Sequence, residues 1–155
     1  MSYLINELNN FFSNQFIIVL LLLFFAFATY TDLKYLKIYN KFNLALLILR
    51  FALIYYLPLS WSHLFGAVVG FLVLTIPAVH LMHKMGGDIK FITILGLFLG
   101  LPLTIALLAL SCAYMLIFSL LKKILKKVNV KKVLVPFAPF FTLAFVTLFI
   151  ISSIV

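Results

Sequence analysis

The sequence predicts an all-α, polytopic membrane protein that forms one integral membrane domain over residues 1–155. Hydrophobic residues make up 66% of the chain, which is too large a share for a soluble core. Several apolar runs approach the roughly 20 residues that a helix needs to cross a bilayer. The length of 155 residues suits a single domain.

Six apolar runs are predicted as membrane-spanning helices, over residues 16–33, 42–58, 63–82, 88–100, 102–121 and 137–154. Pro58 closes the second run, and Gly100 with Pro102 separates the fourth from the fifth. Pro136 and Pro139 open the sixth run, where a missing backbone N–H costs a helix least. The fourth run is short, so Asp88 at its start is expected to lie below the membrane surface.

The positive charge follows the pattern of a membrane protein rather than that of a nucleic-acid-binding protein. The net charge is +9, but a nucleic-acid surface would concentrate it on one folded face. Cytoplasmic loops of membrane proteins are rich in lysine and arginine. The three lysine-bearing loops are therefore predicted to face the cytoplasm, which places both termini outside a multi-pass cytoplasmic (inner) membrane protein. The three clusters are Lys34, Lys37 and Lys41; Lys84 and Lys90; and Lys122, Lys123, Lys126, Lys127, Lys131 and Lys132.

The last of these clusters belongs to a segment from Leu121 to Lys132 that alternates apolar and basic residues. Such a segment gains about 1 kcal/mol per basic residue near anionic lipid. Membrane lipid is therefore a predicted partner of this segment. The alternative is that the segment grips a substrate.

The chain has three acidic residues: Glu7, Asp32 and Asp88. Glu7 lies in a polar, Asn-rich stretch and is expected to face water. Asp32 ends the first apolar run and Asp88 begins the fourth, so the predicted topology puts both at the same membrane face and the same depth. An ionisable group inside a membrane span costs a few kcal/mol and indicates function by default. The alternative is that each aspartate pairs with a nearby lysine.

Two neighbouring carboxyl groups supply a complete set of groups for peptide hydrolysis. They cannot both ionise easily and share a proton. One then acts as a base on a bridging water and the other as an acid towards the scissile carbonyl, with no metal or other cofactor. Gly86 and Gly87 have no Cβ, so a substrate backbone could approach closely beside Asp88. A plain loop before a helix is the alternative interpretation of the glycine pair.

Other polar residues inside the apolar runs carry weaker signals. Arg50 lies midway along the second run, where a structural role and a direct role in the site both remain open. His80 and His83 share a helix face, but no third ligand lies nearby, so an interfacial helix end is expected rather than a metal site. Cys112 is expected to be a small buried hydrophobe.

The stretch "MGGDIKFITILGLFLG" resembles the Gly-x-Gly-Asp segment of prepilin peptidases, the type IV leader peptidases. The family's segment continues with a lysine and an apolar helix with spaced glycines, and Gly87, Asp88, Lys90, Gly96 and Gly100 match it. The first glycine of the segment is replaced by Met85.

Two further stretches resemble the same family. "TDLKYLKIYN" resembles an aspartate followed by a basic stretch and Ile-Pro-Asn, with Asp32, Ile38 and Asn40 matching and Tyr39 replacing the proline. "VPFAPFFTLAF", from Val135, is similar to the family's Pro-Phe-x-Pro start of the last span. The chain lacks the cysteine tetrad of the long members and resembles the short, peptidase-only forms of tight-adherence pilus systems and archaeal preflagellin processing.

The resemblance implies an intramembrane aspartic endopeptidase that removes the leader of prepilin-like substrate proteins at the cytoplasmic membrane face. It implies that Asp32 and Asp88 are catalytic. It also implies an active-site loop that contains Gly86, Gly87, Lys90, Ile38 and Asn40.

Two other functions compete with this one. A small transporter would use the aspartates as a proton or cation site, but such sites tend to lie near the midplane and often accompany internal repeats. No repeat is visible in the sequence. A non-catalytic scaffold of the same fold would be favoured by loss of an aspartate, and both are present.

Overall fold

The structure, a computed structural model, describes residues 2–80, 86–126 and 136–154. These residues form helices and no strand, so the all-α prediction is confirmed. The helices are α1 (Ser2–Phe12), α2 (Gln15–Tyr35), α3 (Asn40–Ala52), α4 (Trp61–His80), α5 (Gly86–Lys126) and α6 (Ala138–Ile154).

Two of these helices are long and apolar enough to cross a membrane: α2, and α5 over Gly86–Ile124. Shorter apolar helices cover Trp61–Ile76 and Ala138–Ile154. Helix α3 has 13 residues, which gives a length of about 20 Å against a hydrocarbon thickness of about 30 Å. The number of membrane spans therefore stays a prediction.

Helix α1 lies where the sequence had indicated only a polar leading segment. Leu8 and Phe12 are buried, and they follow one another at the four-residue spacing of a helix face. The ring of Phe12 packs on Phe145 and Phe149 of α6, at centroid distances of 5.5 and 5.6 Å. The beginning of the chain is therefore packed against the bundle.

A short connector of residues 36–39 joins α2 to α3. Leu36 adopts a left-handed conformation, with φ 50° and ψ 41°, which is costly for a residue that carries a Cβ. Tyr39 has φ −74° and ψ 139°, values that proline also adopts. The tyrosine therefore fits the backbone at the position where the resembled motif has its proline.

Helix α5 is interrupted at Gly100, which has φ 75° and ψ 174°. The predicted division between the fourth and fifth apolar runs is therefore confirmed at this residue. The interruption frees backbone groups that a continuous helix would pair. The N–H of Leu101 donates to Oγ of Ser62 at 3.1 Å, and the carbonyl of Leu97 accepts from Nε of Arg50 at 2.6 Å.

Arg50 is a structural residue in this fold. It is 1% exposed, and its Nη1 also donates to the carbonyl of Leu57 at 2.8 Å. The guanidinium lies 5.6 Å from the centre of the Phe98 ring, a distance that allows a cation–π interaction. These contacts lie at the helix interruption and at the turn after α3. They support a structural role for Arg50 rather than a direct role in the site.

Helices α4 and α5 cross at glycines spaced four residues apart, Gly66 and Gly70 on α4 and Gly96 and Gly100 on α5. A Cβ on Gly96 would lie 2.5 Å from the carbonyl carbon and oxygen of Gly66. Small residues at such spacing let helix backbones approach closely in membrane proteins. This close contact therefore fixes the position of α5 along α4.

Two sequence expectations concern the second half of α5. Cys112 is exposed rather than buried, so the expectation of a buried cysteine is wrong. Its neighbour Ser111 occupies the inward face and donates to the carbonyl of Leu107. The helix extends to Lys126, and residues 127–132 of the predicted lipid-contacting segment lie outside the described residues.

Candidate active site

Four helix ends meet at one end of the bundle: the C-terminus of α2 and the N-termini of α3, α5 and α6. Asp32 lies in the last turn of α2 and is 3% exposed. Its Oδ2 accepts a hydrogen bond from the backbone N–H of Ala138 at 2.9 Å, and the backbone N–H of Phe137 is also within reach. The first N–H groups of a helix have no partner in the helix itself. The carboxylate therefore fills the role of a cap for α6.

Asp88 lies in the first turn of α5 and is half-buried. The electrostatic field of Asp32 acts on it, so the two carboxyl groups lie within Coulombic range of each other. The described residues include no hydrogen-bond partner for the Asp88 carboxyl group. The two aspartates therefore share one region but have different surroundings.

A cluster of aromatic rings beneath the aspartates holds three of these helices together. Phe25 of α2 meets the edge of Phe91 of α5 at 5.5 Å and stacks on Phe145 of α6 at 4.8 Å. All three rings are buried completely. Edge and offset-stacked aromatic pairs stabilise such contacts beyond their buried area. The cluster therefore sets the separation of the helix ends that carry Asp32 and Asp88.

The segment around Ile38 and the segment around Gly87 contact each other at three points. The carbonyl oxygen of Ile38 lies against Gly87. Nδ2 of Asn43 donates to the carbonyl of Gly87 at 3.0 Å, and Nζ of Lys90 donates to Oδ1 of Asn40 at 3.0 Å. The fold therefore brings Ile38, Asn40, Gly87 and Lys90 together beside Asp88.

The lysines nearest in sequence to the aspartates have other partners. Nζ of Lys34 bonds to the hydroxyl of Tyr30 at 3.3 Å, and Lys90 bonds to Asn40. These contacts disfavour the alternative in which each aspartate is only the partner of a neighbouring lysine.

The two glycines before Asp88 have different surroundings. A Cβ on Gly87 would lie 2.5 Å from the carbonyl oxygen of Ile38, so the space is filled by the chain itself and not left to a substrate. Among the described residues, no heavy atom lies within 4 Å of a Cβ placed on Gly86. The prediction of room for a substrate backbone is therefore wrong at Gly87 and stays a prediction at Gly86. Met85 lies outside the described residues.

Sequence reasoning missed Asn43 and the start of α6. Asn43 is 2% exposed, and its Oδ1 has no hydrogen-bond partner among the described residues. The available signal was a second asparagine one helical turn after Asn40 in an otherwise apolar run. Phe137 and Ala138 act through backbone N–H groups, which leave no sign in the side-chain pattern.

No group of three potential metal ligands is formed by histidine, cysteine, aspartate or glutamate within the described residues. The side chain of His80 and all of His83 fall outside what the structure describes. The expectation that these two histidines form an interfacial helix end therefore stays a prediction.

Two aspartates at converging helix ends of an apolar bundle are the arrangement expected of an aspartic peptidase in a membrane. The model of the type IV leader peptidase family matches residues 18–120 of the chain. This match covers most of the sequence and includes both aspartates, so the chain belongs to the type IV leader peptidase family, a membrane-associated family of peptidases. No curated protein and no solved structure gives a significant match.

Proposed function

We propose that this protein is an aspartic endopeptidase that removes the leader peptide of type IV prepilin-like proteins. The observation that carries the proposal is the convergence of Asp32 and Asp88 from helix ends that lie far apart in sequence. Family membership supports leader peptide cleavage in general, and the aspartate pair supplies the groups that hydrolysis needs.

The surroundings of the two carboxyl groups suggest how they divide the work. Backbone N–H groups at the start of α6 solvate a charged Asp32, because ionised oxygens form the stronger hydrogen bonds with such donors. Asp88, near that charge, holds the shared proton. Asp32 then takes a proton from the attacking water while Asp88 donates one to the carbonyl oxygen of the scissile bond. Asp32 then protonates the leaving amine while Asp88 takes a proton from a hydroxyl of the tetrahedral intermediate, so the C–N bond breaks and the pair again holds one shared proton.

We also propose that the site lies at the cytoplasmic face of the membrane. Lys34, Lys37 and Lys41, in and beside the connector between α2 and α3, lie at this end of the bundle, which agrees with the positive-inside tendency. In this arrangement the apolar helices form six spans with both termini outside. The position of both aspartates at helix ends also argues against the transporter alternative, because transporter sites tend to lie near the bilayer midplane.

The direct test is the replacement of each aspartate by asparagine, which keeps the size and removes the proton chemistry. Asp32→Asn and Asp88→Asn should each lower the cleavage rate of a prepilin-like peptide by about 10³-fold, within the usual range for acid–base catalysis. Glu7→Gln, which changes the remaining acidic residue, should stay within about twofold of the wild type. Substantial cleavage by either asparagine variant that inserts normally would exclude the paired-aspartate mechanism.

Metal dependence and pH dependence provide a second test. A chelator and a thiol-blocking reagent should leave the rate unchanged, because neither a metal nor Cys112 takes part. The dependence of kcat/KM on pH should be bell-shaped, and its two apparent pKa values should belong to the aspartate pair as a unit. Activity lost to the chelator and restored by one specific metal would instead assign His80 and His83 as ligands.

A further inference from the structure

A pair of threonine hydroxyl groups joins α2 to α6 one helical turn away from Asp32. Oγ1 of Thr29 lies 2.6 Å from Oγ1 of Thr142, which is hydrogen-bond distance for two hydroxyl groups. Thr29 precedes Asp32 by three residues, and Thr142 follows Ala138 by four. Residues at these spacings lie on the same face of a helix. The threonine pair therefore lies directly behind the hydrogen bond that Ala138 donates to Asp32.

A second contact decides which threonine is the donor. Oγ1 of Thr142 donates to the carbonyl of Ala138 at 3.0 Å, and a hydroxyl group has one proton to donate. The carbonyl of Phe25 lies further from this oxygen, at 3.4 Å. Thr29 is then the donor in the bond between the two hydroxyl groups. The contacts run from Thr29 through Thr142 to Ala138, the residue whose N–H meets Asp32.

The start of α6 offers few N–H groups to the carboxylate of Asp32. Pro139 has no N–H, and the two N–H groups that follow it bond to the carbonyl of Phe137 at 3.1 and 3.3 Å. The hydrogen bond from Ala138 to Asp32 is 2.9 Å long. A shift of α6 away from α2 by about 1 Å would stretch this bond beyond the usual range. The position of Ala138 therefore matters for the state of Asp32.

The aromatic contact between α2 and α6 does not fix this geometry by itself. Phe25 stacks on Phe145 at 4.8 Å, and aromatic pairs are favourable over centroid distances from about 4.5 to 7 Å. Two hydroxyl groups form a hydrogen bond over a much narrower range, about 2.5–3.0 Å. The bond between Thr29 and Thr142 is therefore the contact that sets the start of α6 against the last turn of α2.

We propose that Thr29 and Thr142 are positioning residues, whose hydrogen bond holds the start of α6 where the N–H of Ala138 meets the carboxylate of Asp32. The proposal rests on the proposed function, because it concerns the carboxylate that activates water there. Neither hydroxyl group touches the reacting atoms. Without the pair, Asp32 stays on α2 but loses part of the hydrogen bonding that favours its ionised form.

The first test compares loss of the hydroxyl group at Thr142 with the same loss at Thr147, five residues further along α6. Thr147 makes matching contacts, because its Oγ1 donates to the carbonyl of Leu143 at 2.8 Å and lies 2.8 Å from the hydroxyl of Tyr114 of α5. Thr147→Val therefore also removes a hydroxyl bond between helices, but far from Asp32. It should leave kcat within about twofold of the wild type and the pH profile unchanged.

Thr142→Val should change both the rate and its dependence on pH. We expect kcat to fall by about tenfold, because a small misplacement of a catalytic group is costly, and KM to stay within about twofold. The acid side of the profile of kcat/KM should move to higher pH by at least about 0.5 unit, because a carboxylate that loses hydrogen bonds is protonated more easily. An unmoved profile, or an equal shift in Thr147→Val, would overturn the proposal.

Two further variants separate the hydroxyl group from the rest of the side chain. Thr142→Ser keeps the hydroxyl and should restore the profile and a rate within about twofold of the wild type. Thr29→Val removes the donor of the same bond. The double variant Thr29→Val/Thr142→Val should be no slower than Thr142→Val, because two residues in one bond are not additive. Losses that multiply in the double variant would overturn the proposal.

The second test measures the protonation of Asp32 without cleavage. The chain has three acidic residues, so the full-length Glu7→Gln/Asp88→Asn variant keeps Asp32 as its one acidic side chain and removes the charge of Asp88 beside it. Infrared difference spectra of the carboxyl band give the pH at which Asp32 is half protonated. Adding Thr142→Val should raise this pH by at least about 0.5 unit, whereas adding Thr147→Val should not change it.

This titration also separates the two proposals, since it involves no cleavage. If Asp32→Asn abolishes cleavage but the titration of Asp32 does not respond to Thr142→Val, the paired-aspartate mechanism stands and the positioning role is overturned. If the wild type does not cleave a prepilin-like peptide but the titration shifts as expected, the proposed function fails. The link between the threonine pair and Asp32 then stands.

Discussion

The first half of α5 has a glycine contact at each end, and the two ends differ in how their polar groups are paired. At Gly100 neighbouring side chains pair the backbone groups that the interruption sets free. Oγ of Ser62 accepts from the N–H of Leu101, and Oγ1 of Thr104 donates to the carbonyl of Gly100 at 2.6 Å. At Gly87 the carbonyl of Ile38 fills the space of a side chain. The polar groups nearby are the amide of Asn43 and the pair formed by Lys90 and Asn40.

Each end also contains one buried polar atom without a partner among the described residues, Nη2 of Arg50 and Oδ1 of Asn43. The guanidinium of Arg50 lies over the ring of Phe98, which partly compensates a cation. Asn43 instead lines an open groove. The comparison indicates that the Gly100 end stabilises the fold, whereas the Gly87 end places its polar groups beside Asp88.

The largest expected effect on stability is at the crossing of α4 and α5. Gly96→Ala would place a methyl group 2.5 Å from the backbone of Gly66, and the overpacking should cost about 3 kcal/mol. Gly86→Ala, whose methyl group meets no described residue within 4 Å, should change stability by less than about 1 kcal/mol. Thermal unfolding in detergent compares the two. Equal loss in both variants would show that the close crossing is not what holds α5.

Removal of Arg50 should destabilise the protein slightly less. Arg50→Met keeps most of the volume but leaves the carbonyls of Leu97 and Leu57 without donors, at a cost of about 2 kcal/mol. The cleavage rate of the molecules that remain folded should stay within about threefold of the wild type, the range of a substitution outside the site. A rate loss as large as that of Asp88→Asn, without a loss of stability, would place Arg50 in the site.

Asn43 should show the opposite balance between stability and activity. Asn43→Leu removes one hydrogen bond to Gly87 and also removes the unpaired Oδ1, so the stability should change by less than about 1 kcal/mol. The value of kcat/KM should fall by about tenfold, which corresponds to about 1.4 kcal/mol. Unfolding curves and steady-state kinetics on one preparation measure both quantities. A stability loss larger than that of Arg50→Met would remove the distinction between the two ends.

The smallest effect is expected in the connector after Asp32. Leu36 has φ 50°, and glycine adopts this conformation without a Cβ penalty. Leu36→Gly should therefore change stability by no more than about 1 kcal/mol, because the relief of strain offsets the greater entropy of the unfolded glycine. Activity should stay within twofold if Leu36 only turns the chain. A large loss of activity with normal stability would assign its exposed side chain to substrate contact.

Local properties of the sequence determined the helical class, the interruption of α5 and the position of the two aspartates at helix ends. Apolar runs and glycine or proline positions constrain the backbone where they occur, so Gly100 and Pro102 were sufficient to predict the interruption. The positions of Asp32 and Asp88 at the ends of apolar runs followed from the same pattern. Helix α1 was missed because its polar residues obscured the spacing of Leu8 and Phe12.

Only the tertiary structure decided which polar groups pair. Asp32 bonds to Ala138 across 106 positions of sequence, and Asn43 bonds to Gly87 across 44. The room predicted at Gly87 is occupied by Ile38, and Arg50 pairs with carbonyls that the interruption of α5 sets free. Such pairing depends on the approach of separate helix ends and on backbone donors and acceptors that every residue carries. Side-chain patterns therefore contain no record of it, and packing alone makes the choice.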